Sequence, residues 1–132
     1  MPEPRNPASD PVPPVGRRSA ARLRLSIPAR FISVEGTHDC VLIDLSSTGA
    51  RIAMAEPLAH GAAGYLEVAG LQIFGEAVRY VPGRGGGVNG VMFDDLLARE
   101  AVLRVRRHAE TLPEREHAAL RDHVRRWVTG AA

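Results

Sequence analysis

Between residues 22 and 93, apolar side chains recur at every second position in short runs separated by glycine-rich turns. That period belongs to strands with one buried face. Leu23, Leu25 and Ile27 alternate with Arg22, Arg24 and Ser26, and the run continues past Pro28 through Phe31, Ile32 and Val34, which predicts a bent or edge first strand. Glu35-Gly36-Thr37 supplies a turn, and residues 40–45 form a nearly continuous apolar run. Ala50, Ile52 and Met54 then alternate with Arg51 and Ala53, completing a predicted hairpin. Tyr65, Glu67 and Ala69 alternate with Leu66 and Val68, and Gly70 marks a break. Residues 71–81 follow, with Ile73, Gly75, Ala77 and Arg79 expected on one side, and residues 83–87 turn the chain into a last strand over 88–93. Six short strands with no crossover helix between them predict an all-β core in the form of a small six-stranded antiparallel barrel, because closure removes exposed edges.

From Asp94 the period changes. Leu97, Ala101, Val105 and Ala109 recur every four residues among arginines, the pattern of a helix laying one stripe on the barrel. Thr111-Leu112-Pro113-Glu114 has the form of a capping box with proline in the first turn, so a second helix is expected there. Its apolar positions are Leu120, Val124, Trp127 and Val128, with His117 one turn earlier. Such a stripe either packs back on the first helix or the barrel, or serves self-association or a partner protein.

A chain of 132 residues, 45% hydrophobic, accommodates one compact domain and appendages but not a two-domain enzyme. We divide it into a Pro-rich tail (1–15), a barrel domain (16–98) and a helical extension (99–132). The tail carries Pro at positions 2, 4, 7, 11, 13 and 14 and no apolar core of a signal peptide, and it reads as disordered or polyproline-like. No apolar run reaches the eighteen or so residues of a spanning helix, so no membrane insertion and a cytoplasmic location are expected. All seventeen basic residues are arginine, interspersed with fifteen acidic ones. Without a dense basic stripe, DNA and RNA binding are disfavoured. The single Cys40 excludes an intrachain disulfide and argues against a cysteine zinc site. The five histidines do not fall at metal-ligand spacings, and adjacent strand residues such as His38 and Asp39 point to opposite faces. Gly85-Gly86-Gly87-Val88-Asn89-Gly90 matches a dinucleotide fingerprint in form only, since a strand follows it where a helix is required. Ser46 and Ser47 lack a nucleophile elbow, so no metal, cofactor or catalytic activity is expected.

Two motifs remain. Arg18-Ser19-Ala20-Ala21-Arg22 sets two guanidiniums four positions apart, and Asp44-Leu45-Ser46-Ser47-Thr48-Gly49 ends an apolar strand with a carboxylate, a hydroxyl and a glycine. Guanidiniums fork onto guanine O6/N7 or phosphate oxygens and stack on bases, whereas a carboxylate accepts from N–H groups such as those of guanine's Watson–Crick edge. The two motifs together suit a ligand carrying purines and phosphates.

RxxxR followed by DxSxxG, with Gly90-Val91-Met92-Phe93 as a closing GVxF strand, resembles the signature of the PilZ domain family over roughly residues 16–98. The resemblance implies a receptor for the bacterial second messenger cyclic di-GMP. It assigns Arg18 and Arg22, on an N-terminal strap, to phosphates and guanine Hoogsteen edges, Asp44 to guanine N1–H and the exocyclic amine, Ser46 to a ligand oxygen, and Gly49 to a turn backbone that a side chain would block. Arg17, preceding the strap motif, occupies a position where a further arginine accompanies capture of an intercalated ligand pair. Either stoichiometry is compatible with the sequence. The ordered strap would relay binding to a downstream protein partner, with the C-terminal helices as one candidate surface and the chain a monomer or weak dimer. The alternative is an adaptor of the same fold that binds protein without nucleotide. The second helix exceeds the minimal family pattern.

Overall fold

The computed structural model describes residues 23–129. The tail and Arg17, Arg18 and Arg22 lie outside the described residues. Six strands appear: β1 (Leu23–Ser33), β2 (Gly36–Leu45), β3 (Gly49–Met54), β4 (Ala63–Val68), β5 (Leu71–Pro82) and β6 (Gly87–Phe93). All neighbours pair antiparallel and close into a barrel in the order β1-β2-β3-β6-β5-β4, with β4 returning to β1. Two helices follow, α1 (Arg99–Glu110) and α2 (Glu114–Thr129).

The inward rows are those that the alternation predicts. Ile27, Ala29 and Phe31 of β1, Leu42 of β2, Ile52 of β3, Leu66 of β4, Ile73 and Ala77 of β5, and Val91 of β6 share one core. Val105 and Ala109 of α1 join it, and Leu97 and Val102 pack at its edge. The first turn differs from the sequence reading. Ser33 pairs with Gly36, leaving Val34 and Glu35 as the two turn residues, and Gly36 takes φ +131° as the first residue of β2. Val34, expected within the strand, is fully exposed at the tip.

Ala53, expected to alternate outward, is buried, as is its cross-strand partner Val41. A second apolar layer therefore covers part of the outer wall, where α2 packs on β1, β3 and β6. Because β3 pairs with β6 and not with β4, the connection 55–62 must cross the barrel's end. Leu58 buries itself there, and the fully buried Asn89 of β6 accepts from Leu58 N–H (2.8 Å) and donates to Leu58 C=O (3.1 Å). The hydrogen bonds of a buried amide satisfied in this way offset its desolvation and anchor the loop.

The expected capping box does not form. Thr111 closes α1, its Oγ1 donating to His108 C=O at 2.7 Å, while the Pro113 carbonyl accepts the first bonds of α2 from Glu116 and His117 N–H. Pro113 thus takes the N-cap place, with its threonine two residues too early to serve. No residue of α2 is fully buried. The helix is held at both ends: a His117 Nε2 contact to Ala109 C=O (2.9 Å) ties its start to α1, and Arg84 and Gly85 N–H donate to the Val128 and Trp127 carbonyls at its finish.

Candidate functional site

Asp44 lies near the C-terminal end of β2. A regular strand would give residues 42 and 44 the same facing, and Leu42 is in the core. The pairing of β2 with β3 slips between Leu42 and Asp44, so the inward position passes to Leu45 and Asp44 turns to the outer wall. A bulge that re-aims one side chain is a common device beside binding sites. The same device operates on β5. The register with β6 shifts between Ala77 and Arg79, so Ala77 stays in the core while Arg79, expected on that inward row, faces solvent. This corrects the sequence reading: strict alternation was broken at Val78 by the inserted residue.

The two re-aimed residues border one cleft of about 350 Å³, with Ser46, Gly49, Arg51 and Met92 also on its walls. That volume lies at the lower end of the about 300–1,000 Å³ typical of small-molecule sites. Its floor is open because Gly90, opposite both Arg51 on β3 and Arg79 on β5, has no side chain. Asp44 is 3% exposed and accepts from Arg51 through Nε (3.1 Å) and Nη2 (2.8 Å), both on Oδ2. A buried carboxylate requires such a counter-charge. Arg79 makes no side-chain hydrogen bond or ion pair among the described residues.

The turn after Asp44 organises itself around Ser46. Its Oγ accepts from Thr48 N–H and Gly49 N–H at 3.3 Å each and lies 3.2 Å from Thr48 Oγ1, while Ser46 N–H donates to Gly49 C=O at 2.9 Å. Local hydroxyl bonding of this kind fixes a turn. At Gly49 the obstacle to a side chain is a neighbouring strand. Gly49 is not among the positive-φ glycines, and a Cβ built on it would stand 2.4 Å from Val91 C=O, so the constraint is the close approach of β3 to β6. The turn is fastened to the chain leading into α1 by Phe93 N–H to Thr48 C=O (2.9 Å) and Leu97 N–H to Ser47 C=O (2.7 Å).

A family comparison decides what this barrel is. The family model described as PilZ domain matches residues 16–110, most of the chain. The chain belongs to the PilZ domain family. The match takes in Arg17, Arg18 and Arg22 and ends with α1. Among the solved structures that share the chain's fold are two of known origin. One is the crystal structure of YcgR from Escherichia coli in complex with c-di-GMP, 20% identical with a TM-score of 0.52, covering 84% of this chain and 52% of that one. The other is the Bacillus subtilis inhibitor of motility MotI/DgrA, 16% identical with a TM-score of 0.51, covering 77% of this chain and 59% of that one. This PilZ chain therefore spans little more than half the length of either, and at such identities the likeness is one of fold. No curated protein matches it by sequence.

Within the site, the structure brings Asp44, Ser46 and Gly49 to one cleft edge. Sequence reasoning missed Arg51 and Arg79. Arg51 was legible as the residue two beyond Gly49, but Arg79 was hidden by its place in the inward rhythm. A larger groove of about 830 Å³ runs from Pro28 to Leu120 on the other side of the barrel. Its Arg30, Glu67 and Gln72 are tied to one another, and hydrogen bonds from Gln72 and then Arg30 hold the Glu67 carboxyl below its usual range. Three of that groove's polar side chains thus already serve each other, and the DxSxxG turn lies on the smaller cleft, where we place the candidate site. Among the described residues, no helix is long and apolar enough to cross a membrane, and no group of three or more His, Cys, Asp or Glu is placed to hold a metal ion.

Proposed function

We propose that the protein is a cyclic di-GMP receptor that holds the dinucleotide between the arginine strap (Arg17, Arg18, Arg22) and the cleft edge formed by Asp44, Ser46 and Gly49, and passes its occupancy to a protein partner. The observation that carries the reading is the location of the DxSxxG turn. Its buried carboxylate, bonded to Arg51, borders a glycine-floored cleft, with the Arg79 guanidinium on the strand across that floor. Family membership and a relative solved with c-di-GMP support it.

The chemistry is binding. Guanine N1–H and its exocyclic amine are the donors that Asp44 accepts from, sharing the carboxylate with Arg51 or displacing it. Strap arginines supply the phosphate and Hoogsteen contacts, each bidentate guanine contact contributing about 1–3 kcal/mol. Nucleotide contacts offset the entropy of fixing the strap, so ligand shifts the population toward a closed surface.

Isothermal titration calorimetry with cyclic di-GMP tests the reading, with GTP and Asp44→Ala as controls. Binding that is lost in the variant and absent for GTP is expected. Its stoichiometry separates one nucleotide from an intercalated pair. Arg18→Ala and Arg22→Ala each weaken it by about tenfold or more while the barrel melts unchanged. No heat and no competition with a labelled nucleotide would overturn the receptor and leave the adaptor of the same fold.

A further inference from the structure

A second feature lies on the outer wall of β4 and β5 beside the cleft. Tyr65 on β4 and Phe74 on β5 are cross-strand partners whose rings meet edge to face at 5.1 Å between centroids. Ile32 of β1 is the partner of Tyr65 on its other side, and Asp94 N–H donates to Phe74 C=O, which brings the end of β6 alongside. Met92 lies beside the pair on β6, opposite Glu76, and Leu96 follows in the segment after β6. Tyr65, Phe74, Met92 and Leu96 are 46%, 40%, 55% and 76% exposed, so the barrel's own core does not account for them. Exposed aromatic, methionine and leucine side chains on neighbouring strands and the segment after them have the composition of interaction sites.

Three exposed carboxylates border this row. Glu76 lies opposite Met92, and Asp94 and Asp95 follow β6 directly. None has a side-chain hydrogen bond or ion pair among the described residues. Such a rim attracts guanidinium or ammonium groups, while Arg51 and Arg79 lie beyond Met92 on the cleft side. Strand addition is excluded because the barrel is closed and offers no unpaired edge here. The row crosses strands about 4.8 Å apart, close to the roughly 5–6 Å between side chains three or four residues apart on a helix.

We propose that the wall formed by Tyr65, Phe74, Met92 and Leu96, rimmed by Glu76, Asp94 and Asp95, is a docking surface for a basic amphipathic helix of a partner protein. Its apolar stripe lies on the aromatic pair and its Arg or Lys side chains reach the carboxylates. The surface shares Met92 with the cleft wall, but none of its aromatic or rim residues belongs to the strap or the DxSxxG edge.

The test uses the full-length, isotope-labelled chain and two probe peptides with Leu at the same helical spacing, one with Arg at the polar positions and one with Glu. Backbone amide shifts are followed by NMR. The Leu–Arg peptide is expected to bind at least about tenfold tighter than its acidic counterpart, with the largest shifts at Tyr65, Phe74, Met92 and Leu96. Phe74→Ser weakens it by about tenfold or more, as truncation of a central anchor does. A paired charge reversal, Glu76→Arg with Asp94→Arg, inverts the preference between the peptides, and because both sites are exposed it leaves the melt unchanged. Equal response to both peptides, or shifts centred on α1 and α2, would overturn the proposal. Concentration-dependent shifts of these same residues without peptide, abolished by Phe74→Ser, would overturn it too, giving the surface to a second copy of the chain.

Discussion

Asp44 and Arg51 show how one residue's placement carries a cost that another must offset. With Asp44 3% exposed, removing Arg51 takes away one of the groups that compensate a buried charge. A fully buried pair broken from one side loses about 3–5 kcal/mol, but Arg51 is 46% exposed, and solvent screening reduces the expected loss for Arg51→Ala to about 1–2 kcal/mol in urea melts. Asp44→Asn, which keeps the shape and an acceptor, should lose less; a larger loss would mean that the ion pair is not what holds this corner. Gly49→Ala tests the close approach of β3 and β6. Its Cβ would meet Val91 C=O at 2.4 Å, backbone that cannot step aside, and overpacking of this kind costs about 1–3 kcal/mol. An unaltered melting temperature would contradict the geometry. At Cys40, burial first and then repulsion from Asp39 push the thiol up from 9.0 to about 12. Between those values the unfolded chain has already lost this proton and the folded one has not. Stability therefore falls as pH rises from 9 toward 12, and a disulfide reagent at pH 8 should leave the folded protein unmodified while titrating one thiol in denaturant. Rapid labelling of folded protein would refute the buried assignment. Asp44, Ser46 and Gly49 were legible because their spacing survives any packing. Arg79 was not, since one inserted residue at Val78 reverses facing without leaving a mark in the hydrophobic rhythm.

The elements themselves were legible wherever a period of two or 3.6 ran unbroken, as in β4, β6 and α1. The capping box failed for a local reason: Thr111 was already used by the C-terminus of α1. What holds α2 was also hidden, because it is supplied by backbone from a loop distant in sequence. Residues 83–87 read only as a turn into the last strand, yet they form the seat of the helix's end. A Cβ on Gly83 would stand 2.1 Å from Trp127 C=O, and one on Gly86 2.3 Å from Met54 C=O. Gly83→Ala should therefore lift the end of α2 and weaken the two hydrogen bonds from Arg84 and Gly85 N–H, each contributing about 0.5–1.5 kcal/mol. Trp127, the only tryptophan, reports this directly. Its emission is expected to shift to the red in the variant while the far-ultraviolet strand signal persists. An unchanged spectrum would mean that the helix end is held by its side chains instead.

At the scale of the molecule, barrel closure was predictable from six edge-averse strands, but the order β1-β2-β3-β6-β5-β4 was not, since pairing β3 with β6 leaves no local sequence signal. That order places the cleft and the aromatic wall on neighbouring strands. Met92 lines the cleft and also belongs to the exposed row, and the DxSxxG turn is bonded through Ser47 and Thr48 carbonyls to the segment bearing Asp94, Asp95 and Leu96. A nucleotide that reorders the turn must then act on the docking wall through two hydrogen bonds and a shared side chain, a short path through rigid backbone. The expected consequence is measurable in both directions. Saturating cyclic di-GMP should change the affinity for the Leu–Arg peptide, within the roughly 5- to 150-fold range of ordinary coupling, and saturating peptide should change nucleotide affinity by the same factor. Leu97→Pro, which removes the N–H bonded to Ser47, should abolish most of that factor while both ligands still bind. Equal peptide affinities with and without nucleotide would show that the two surfaces are neighbours without communication, leaving the strap as the sole reporter of an occupied cleft.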